Sequence, residues 1–362
     1  MIRRPHTKKG LWGLPVWTRL LVVGLTVSVV AVAAGPTATG AASPIQRRDY
    51  VEALDVLATG TTLAPVVKTP RPDLGDDTTD AGPWYLAVGA SESVGFQPTA
   101  EAPLGELTDQ GYANDVAAAE RSVWPGLKLA ELGCPGSTTG QVLYGGACIY
   151  AAGSQLAAAV DFLHRHPSTK LVTVDIGFDD LLTCMTGPEK PAALQRIDDG
   201  CRARITKTID QQLDQILRTL QSAGRPDLQI IGLGHYDPWL GIYQQGGTTA
   251  HRVAEQSVRV VKALDNATRV TYRRVGVREA DVGTEFEIDR KQPDRSDRML
   301  PASLTGIRAA PTNVVRICQL TWMCAPAPYG PNLHPNVNGY ETIARAIARA
   351  LIPPTAPKRS AG

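Results

Sequence analysis

Short apolar runs that stop at a glycine alternate with longer amphipathic stretches along most of the chain. Four of these runs have the profile of buried strands, the second more weakly than the others. They are 84–89 (WYLAVG), 127–132 (LKLAEL), 170–177 (KLVTVDIG) and 228–234 (LQIIGLG). The run VTYRRVGV at 270–277 is a possible last strand. Apolar residues at helical spacing predict four helices, over 153–165, 202–222, 251–264 and 340–351.

Alternating strands and helices predict a mostly parallel sheet that is covered by helices on both faces. We therefore expect one α/β domain over about 84–352. Residues 43–83 form an N-terminal extension, in which 46–58 could be a short amphipathic helix. The rest of that extension is rich in Thr, Pro, Gly and Asp and is typical of a linker. Residues 353–362 are a C-terminal tail.

The first 42 residues have the pattern of a secretory signal. They carry five basic residues and no acid, then fifteen uncharged residues from Leu20 to Ala34, and then small residues around Ala41 and Ala42. The apolar run is shorter than the roughly 20 residues of a membrane span, but an uncleaved N-terminal anchor stays open. Arg3 and Arg4 fit a twin-arginine signal less well, because the apolar run starts far downstream. A secreted or cell-envelope protein is predicted.

Charge argues against a nucleic-acid partner. The chain has 37 basic and 35 acidic residues, and without the N-terminal segment the balance is slightly negative. A nearly neutral body offers no basic face to a phosphate backbone.

Six cysteines, all after the N-terminal segment, agree with an oxidising compartment. They form three local pairs, and the simplest of 15 connectivities joins Cys134 to Cys148, Cys184 to Cys201 and Cys318 to Cys324. Buried free thiols are the alternative. The spacing of cysteine and histidine does not favour a metal site, and no cofactor is expected.

Polar, glycine-containing segments follow the predicted strands. In a parallel sheet, ligands bind at the carboxyl ends of the strands, so these segments are the expected site. They are Gly89–Gly95, Gly133–Gly140, Gly177–Asp180 and Gly234–Pro238, with Asn332–Asn336 before the last helix.

This series resembles the blocks of the SGNH (GDSL-type) hydrolases, and most closely a secreted actinobacterial esterase-like branch with three disulfides. Gly89, Ser91, Ser93 and Gly95 match G-D-S-L-S-x-G, Gly136 matches the second block, Gly177–Asp180 resembles G-x-N-D, and His334 with Pro335 resembles D-x-x-H-P. The resemblance implies a three-layer α/β/α fold with a mostly parallel, flavodoxin-like five-stranded sheet.

The resemblance also implies roles for individual residues. Ser91 would be the nucleophile, and His334 the base that takes its proton. The backbone N–H groups of Ser91 and Gly136 would donate to the oxyanion. From the residues alone, Ser91 could instead cap a helix, Ser93 could be the nucleophile although support of the turn fits it better, Gly136 could only permit a tight turn, and His334 could be a loop residue.

Two departures from the family pattern concern the supporting residues. Position 90 is Ala where the family has an Asp that supports the site but does not carry a proton. Position 331 is Pro where the acid of the triad stands, so we expect the Pro331 carbonyl to orient His334. Asp237 and Asp281 are alternative acids.

The third departure is Asp179, which stands where the family has an Asn that donates to the oxyanion. An ionised carboxylate would repel that charge, so Asp179 is protonated through burial, points elsewhere, or leaves the role to two backbone donors. Asp180 is expected to be a structural hydrogen-bonding residue.

Other polar and aromatic residues have weaker signals. His235 could line the pocket, while His164, His166 and His251 look structural. Phe178, Tyr144 and Trp239 are possible pocket walls, although plain packing fits them as well.

The sequence is compatible with three functions. The first is a secreted serine esterase that cleaves acyl or acetyl esters of a lipid or a glycan. The second is a catalytically silent glycan- or lipid-binding protein of the same fold. The third is an acyltransferase that uses the same acyl-enzyme.

Overall fold

The computed structural model describes residues 82–183, 199–292 and 310–353. These residues lie within one compact unit, Ile45–Gly362. The strands are β1 Trp84–Gly89, β2 Lys128–Glu131, β3 Thr169–Asp175, β4 Gln229–Leu233 and β5 Arg278–Ala280. The helices are α1 Tyr112–Glu120, α2 Thr139–Tyr144, α3 Gln155–Arg165, α4 Phe178–Thr183, α5 Asp199–Ala223, α6 Gly247–Val275, α7 Val282–Glu285, α8 Thr312–Leu320 and α9 Val337–Ala350.

The five strands form one parallel sheet in the order β2-β1-β3-β4-β5. Helices α2, α3, α5 and α6 pack together, and α1 packs against α9, which gives the predicted three-layer α/β/α fold. Because all strands run in the same direction, the segments after their carboxyl ends meet at one edge of the sheet.

The predicted last strand at 270–277 is wrong. Residues 270–275 form the end of α6, whose buried side chains at Thr268, Thr271, Tyr272 and Val275 follow helical spacing. Gly276 ends the helix in a left-handed conformation, at φ +72°. The β-branched residues of this run misled the prediction, and the real edge strand follows directly as β5.

The other four predicted strands and the four predicted helices are present, with boundaries shifted by a few residues or, for α6, extended at both ends. The sequence patterns did not predict the other five helices of the described residues, α1, α2, α4, α7 and α8. Two predicted disulfides, Cys134–Cys148 and Cys318–Cys324, are confirmed. The pairing of Cys184 with Cys201, the predicted helix at 46–58 and the N-terminal signal all lie outside the described residues. Within the ranges that the structure describes, no helix is long and apolar enough to cross a membrane.

The ends of β1 and β3 approach each other closely beside the site. Gly89 is level with Asp175 in the sheet, and a Cβ atom on Gly89 would lie 2.2 Å from the Asp175 carbonyl oxygen. The Gln155 side chain binds both backbone polar groups of Gly89. It accepts from the Gly89 N–H at 2.8 Å and donates to the Gly89 carbonyl at 3.0 Å. Only glycine fits at this position.

We expect Gly89→Ala to lower the free energy of unfolding by about 3 kcal/mol or more, since the new methyl group would have to displace backbone. The matched control is Gly126→Ala, where φ is +79° but no heavy atom lies within 4 Å of the added Cβ. That control should lose only about 1 kcal/mol, for its backbone conformation. Urea unfolding of both variants measures the difference, and equal losses would contradict the crowding at Gly89.

Candidate active site

Ser91 lies in the turn that follows β1, at the start of a 3₁₀ segment, Glu92–Val94. Its side chain makes no capping bond, so the alternative of a helix N-cap is not realised. Instead, Ser91 Oγ donates to Glu92 Oε2 at 3.0 Å, and both side chains are buried.

Two hydrogen bonds hold the turn that carries Ser91, one to β3 and one within the turn itself. The Ala90 N–H donates to the Asp175 carbonyl at 2.9 Å, which ties the turn to the end of β3. Ser93 is fully buried and donates through Oγ to the Ala90 carbonyl at 2.7 Å. Ser93 therefore supports the turn, as expected.

His334 lies in the loop before α9, and its ring is held by Asn332. His334 Nδ1 lies 2.7 Å from Asn332 Oδ1, which also accepts from the His334 backbone N–H at 3.0 Å. The expectation that the Pro331 carbonyl orients the ring is corrected, since the single proton on Nδ1 is given to the Asn332 amide oxygen. Burial lowers the pKa of His334, while the Glu92 carboxylate acts in the opposite direction.

Phe96 and Tyr236 join the serine turn to the histidine loop. The Phe96 N–H donates to the Ser91 carbonyl at 3.1 Å, and the Phe96 ring packs on the His334 imidazole with centroids 4.7 Å apart. Tyr236 Oη lies 3.0 Å from Glu92 Oε1 and 3.0 Å from the Leu333 carbonyl. The two loops are thus held side by side at the carboxyl edge of the sheet.

The expected oxyanion residues lie in the neighbouring loops. Gly136 is in a tight turn after Cys134, at φ +77°. Asp179 lies in the first turn of α4. Burial raises its pKa well above the ordinary value, and the nearby carboxyls of Glu92, Asp180 and Asp175 raise it further. The carboxyl of Asp179 is therefore held in the protonated form to higher pH than an ordinary aspartate.

Asp180 has the structural role that the sequence predicted. Its carboxylate accepts from the Thr139 N–H at 2.8 Å and from Thr139 Oγ1 at 2.7 Å. These bonds tie the start of α2 to α4, so they connect the loops that carry Gly136 and Asp179.

Neither alternative acid is hydrogen-bonded to His334. Asp237 is fully buried and accepts from the Trp239 N–H at 3.1 Å and from Ser257 Oγ at 2.7 Å. Asp281 is half exposed and caps α7 by accepting from the Thr284 N–H at 3.0 Å. Both residues serve the local backbone.

The possible pocket residues divide into two groups. His235 and Phe178 line a small interior cavity at this edge, together with Glu92. Trp239 is buried and stacks on Phe178 with centroids 5.1 Å apart. Tyr144 is largely exposed at the end of α2.

The remaining histidines were expected to be structural. His166 packs between Trp84 and Phe162, and His251 stacks on Tyr243. No contact of the site just described involves either of them.

Sequence reasoning missed Glu92, Asn332 and Tyr236. Glu92 and Asn332 each lie within two residues of a predicted site residue, so a polar side chain beside the motif was the available signal. Tyr236 follows β4, and nothing in the sequence shows that it reaches the serine turn.

Comparisons with known proteins found similar folds. No family model and no curated protein matches the chain. Among solved structures, the extracellular lipase from Streptomyces rimosus is 20% identical, with 74% of this chain and 99% of that chain covered and a TM-score of 0.48. Phospholipase A1 from Streptomyces albidoflavus is 19% identical, with coverage of 75% and 100% and a TM-score of 0.45. At these values the neighbours give no ground for assigning an activity.

The protonation of Asp237 generates a prediction about stability. Burial raises the pKa of Asp237 to about 7. The hydrogen bonds from Ser257 and Trp239 lower this pKa, but they offset only part of the effect of burial. The hydrogen bonds around Ser257 also favour a protonated Asp237. Ser257 Oγ lies 2.7 Å from Asp237 Oδ2 and 2.8 Å from the Ala254 carbonyl, but the hydroxyl has only one proton to donate. When Asp237 is protonated, the direction of this bond reverses: the carboxyl group donates to Ser257 Oγ, which then donates to the Ala254 carbonyl.

We expect Asp237→Asn to remove a pH-dependent loss of stability. A folded pKa of about 7, above the ordinary value of about 3.9, means that wild-type stability falls as pH rises between these values. The amide does not titrate, so at pH 8 the variant should be more stable than the wild type by an amount on the order of a few kcal/mol. The difference should shrink toward pH 4. Urea unfolding at both pH values tests this, with Asp237→Ala expected to be destabilised at each.

Proposed function

We propose that the protein is a secreted serine hydrolase of the SGNH type that cleaves carboxylic esters. Ser91 is the nucleophile, His334 is the base, and the substrate is an acylated lipid or glycan. The observation that carries this proposal is that Phe96 contacts both the Ser91 turn and the His334 loop. Its backbone is bonded to Ser91 and its ring packs on His334, so a buried serine and a histidine of lowered pKa lie in adjoining loops.

The resting hydrogen bond of Ser91 is to Glu92, so the reaction begins with rotation of the hydroxyl toward His334 Nε2. Ser91 Oγ then attacks the ester carbonyl carbon as His334 accepts its proton. The Glu92 carboxylate stabilises the imidazolium that forms, a role that a triad acid has in other serine hydrolases. Asn332 keeps the imidazole oriented through Nδ1.

The tetrahedral intermediate carries a negative charge that needs donors. The N–H groups of Ser91 and Gly136 and the neutral carboxyl of Asp179 supply them in this proposal. A carboxylic acid kept neutral by burial can donate a hydrogen bond to an oxyanion, which an ionised aspartate cannot. Collapse of the intermediate releases the alcohol with the proton from His334. Water then attacks the acyl-enzyme by the same steps.

A catalytically silent binding protein is the second candidate, and two observations favour it. Ser91 Oγ is bonded to Glu92, and the acidic neighbours Glu92, Asp175 and Asp179 oppose negative charge beside the serine. An acyltransferase would use the same acyl-enzyme, with an alcohol in place of water.

We expect a fluorophosphonate probe to label wild-type protein at Ser91, because the probe reports only a serine that is activated by a base. Ser91→Ala should abolish both labelling and ester hydrolysis, and His334→Ala should reduce both nearly as much, since the two residues act as a unit. Ser93→Ala, the matched control, should keep most of the labelling if it folds. Mass spectrometry locates the adduct. A folded wild-type protein that takes no label supports the silent candidate instead.

We expect Asp179→Asn to extend activity to higher pH. In the wild type, the donor is lost as pH rises through the raised pKa of Asp179, whereas the amide of Asn donates at every pH. The gain in kcat/KM should therefore grow with pH and reach ~10-fold or more on the alkaline side. The pH–rate profiles of the two proteins on a short acyl ester measure it. Parallel profiles would mean that Asp179 does not face the oxyanion.

A further inference from the structure

A small cavity lies below the turn that carries Ser91. It is lined by residues of the turns after β1 and β4, of strands β3 and β4, and of helices α4, α7 and α9: Glu92, Asp175, Phe178, Leu233, Gly234, His235, Tyr236, Val282 and Ile343. Its size gives room for about one water molecule. Most of the wall is apolar, so the few polar atoms on it decide what the cavity can hold.

Two buried polar atoms on residues of this wall have no hydrogen-bond partner among the residues that the structure describes. They are Asp175 Oδ2 and His235 Nε2. The exposed fractions of the two residues are only 8% and 4%. Leaving a buried polar atom unpaired is costly, so two such atoms on residues that line one cavity point to a shared ligand.

The opposite side of the His235 ring is fixed. Nδ1 lies 2.8 Å from Asp265 Oδ1, and the same oxygen accepts from the His235 backbone N–H at 2.8 Å. With its proton on Nδ1, the neutral ring presents Nε2 to the cavity as an acceptor, and the cationic ring presents it as a donor. His235 can therefore match a ligand that both donates and accepts.

We propose that one ordered water molecule occupies this cavity and bridges Asp175 Oδ2 to His235 Nε2, so that the two side chains share one proton beneath the Ser91 turn. Water fits because it both donates and accepts and needs two to four polar partners.

The shared proton has two positions that conserve atoms and charge. In one form, protonated Asp175 donates to the water, and the water donates to neutral His235. In the other, Nε2–H of the imidazolium donates to the water, and the water donates to the Asp175 carboxylate. Burial and the Glu92 carboxylate raise the pKa of Asp175, while His235 lowers it. Burial lowers the pKa of His235, but Asp265, Asp175 and Glu92 together raise it above the ordinary value.

Acidic groups face His235 from several packed elements. Asp265 comes from α6 and Asp175 from β3, while Glu92 follows β1 and Asp180 belongs to α4. From β5, Glu279 lies near Gly234, but Arg269 binds it through two hydrogen bonds. The imidazolium form thus has carboxyl groups on most sides.

Asp175 also connects this network to the candidate active site. Its carbonyl accepts from the Ala90 N–H at 2.9 Å, next to Ser91. Asp175 is therefore a positioning residue that holds the backbone behind the nucleophile, and together with His235 it sets the charge beneath that turn. This catalytic consequence rests on the proposed hydrolase function, whereas the water site itself does not.

A crystal structure of the full protein tests the site directly. We expect one density peak inside the cavity, at about 2.6–3.2 Å from both Asp175 Oδ2 and His235 Nε2. A dry cavity, or a direct bond between the two side chains, would overturn the proposal.

The His235 ring resonances, followed by NMR as a function of pH, test the shared proton without any activity assay. Asp175→Asn should lower the pKa of His235 by about one unit or more, since it removes a carboxylate that stabilises the imidazolium. Asp265→Asn should lower it at least as much, and it remains informative if Asp175→Asn does not fold. The control is Asp227→Asn, which lies before β4 at the other end of the sheet and pairs with Lys170. An unchanged His235 titration in folded Asp175→Asn would refute the proposal.

The catalytic consequence has its own readout. In Asp175→Asn, the pH profile of kcat should change shape, while a loss at all pH values without a change of shape would indicate a structural role only. If the wild type shows no hydrolysis, the proposed function fails, but the water peak and the His235 titration still decide the site.

Discussion

The contact between the ends of β1 and β3 is the constraint on which the rest of the site depends. Gly89 lies level with Asp175, and there is no room between the backbones for a side chain. The next peptide, Ala90, donates to the carbonyl of Asp175, so the chain has to turn away from the sheet at Ser91. The position of the candidate nucleophile thus follows from backbone packing.

This close approach also brings acidic side chains together where little water reaches them. Glu92 follows the turn after β1, Asp175 ends β3, and Asp179 begins α4. Burial and the neighbouring carboxyl groups raise the pKa of Asp175 and of Asp179. In the proposed mechanism, protonation is what allows Asp179 to donate a hydrogen bond instead of repelling the oxyanion.

Hydrogen-bond counting explains several contacts that charge alone does not. Tyr236 has one proton but lies within bonding distance of Glu92 and of the Leu333 carbonyl. Ser257 has one proton between Asp237 and Ala254. At Ser257, a proton on the carboxyl group of Asp237 would satisfy both acceptors, so protonation of Asp237 is coupled to how these residues are held together.

The sequence by itself determined the layered α/β fold, four of the five strands and the placement of the motif residues at the carboxyl edge of the sheet. Apolar periodicity and glycine positions depend on local chain geometry, so they are readable from neighbouring residues. Only the tertiary structure decided that Asn332 holds His334, that Glu92 binds Ser91, and that residues 270–275 are helical. Those outcomes depend on burial and on partners far apart along the chain, such as Tyr236 and Leu333, which no local pattern contains.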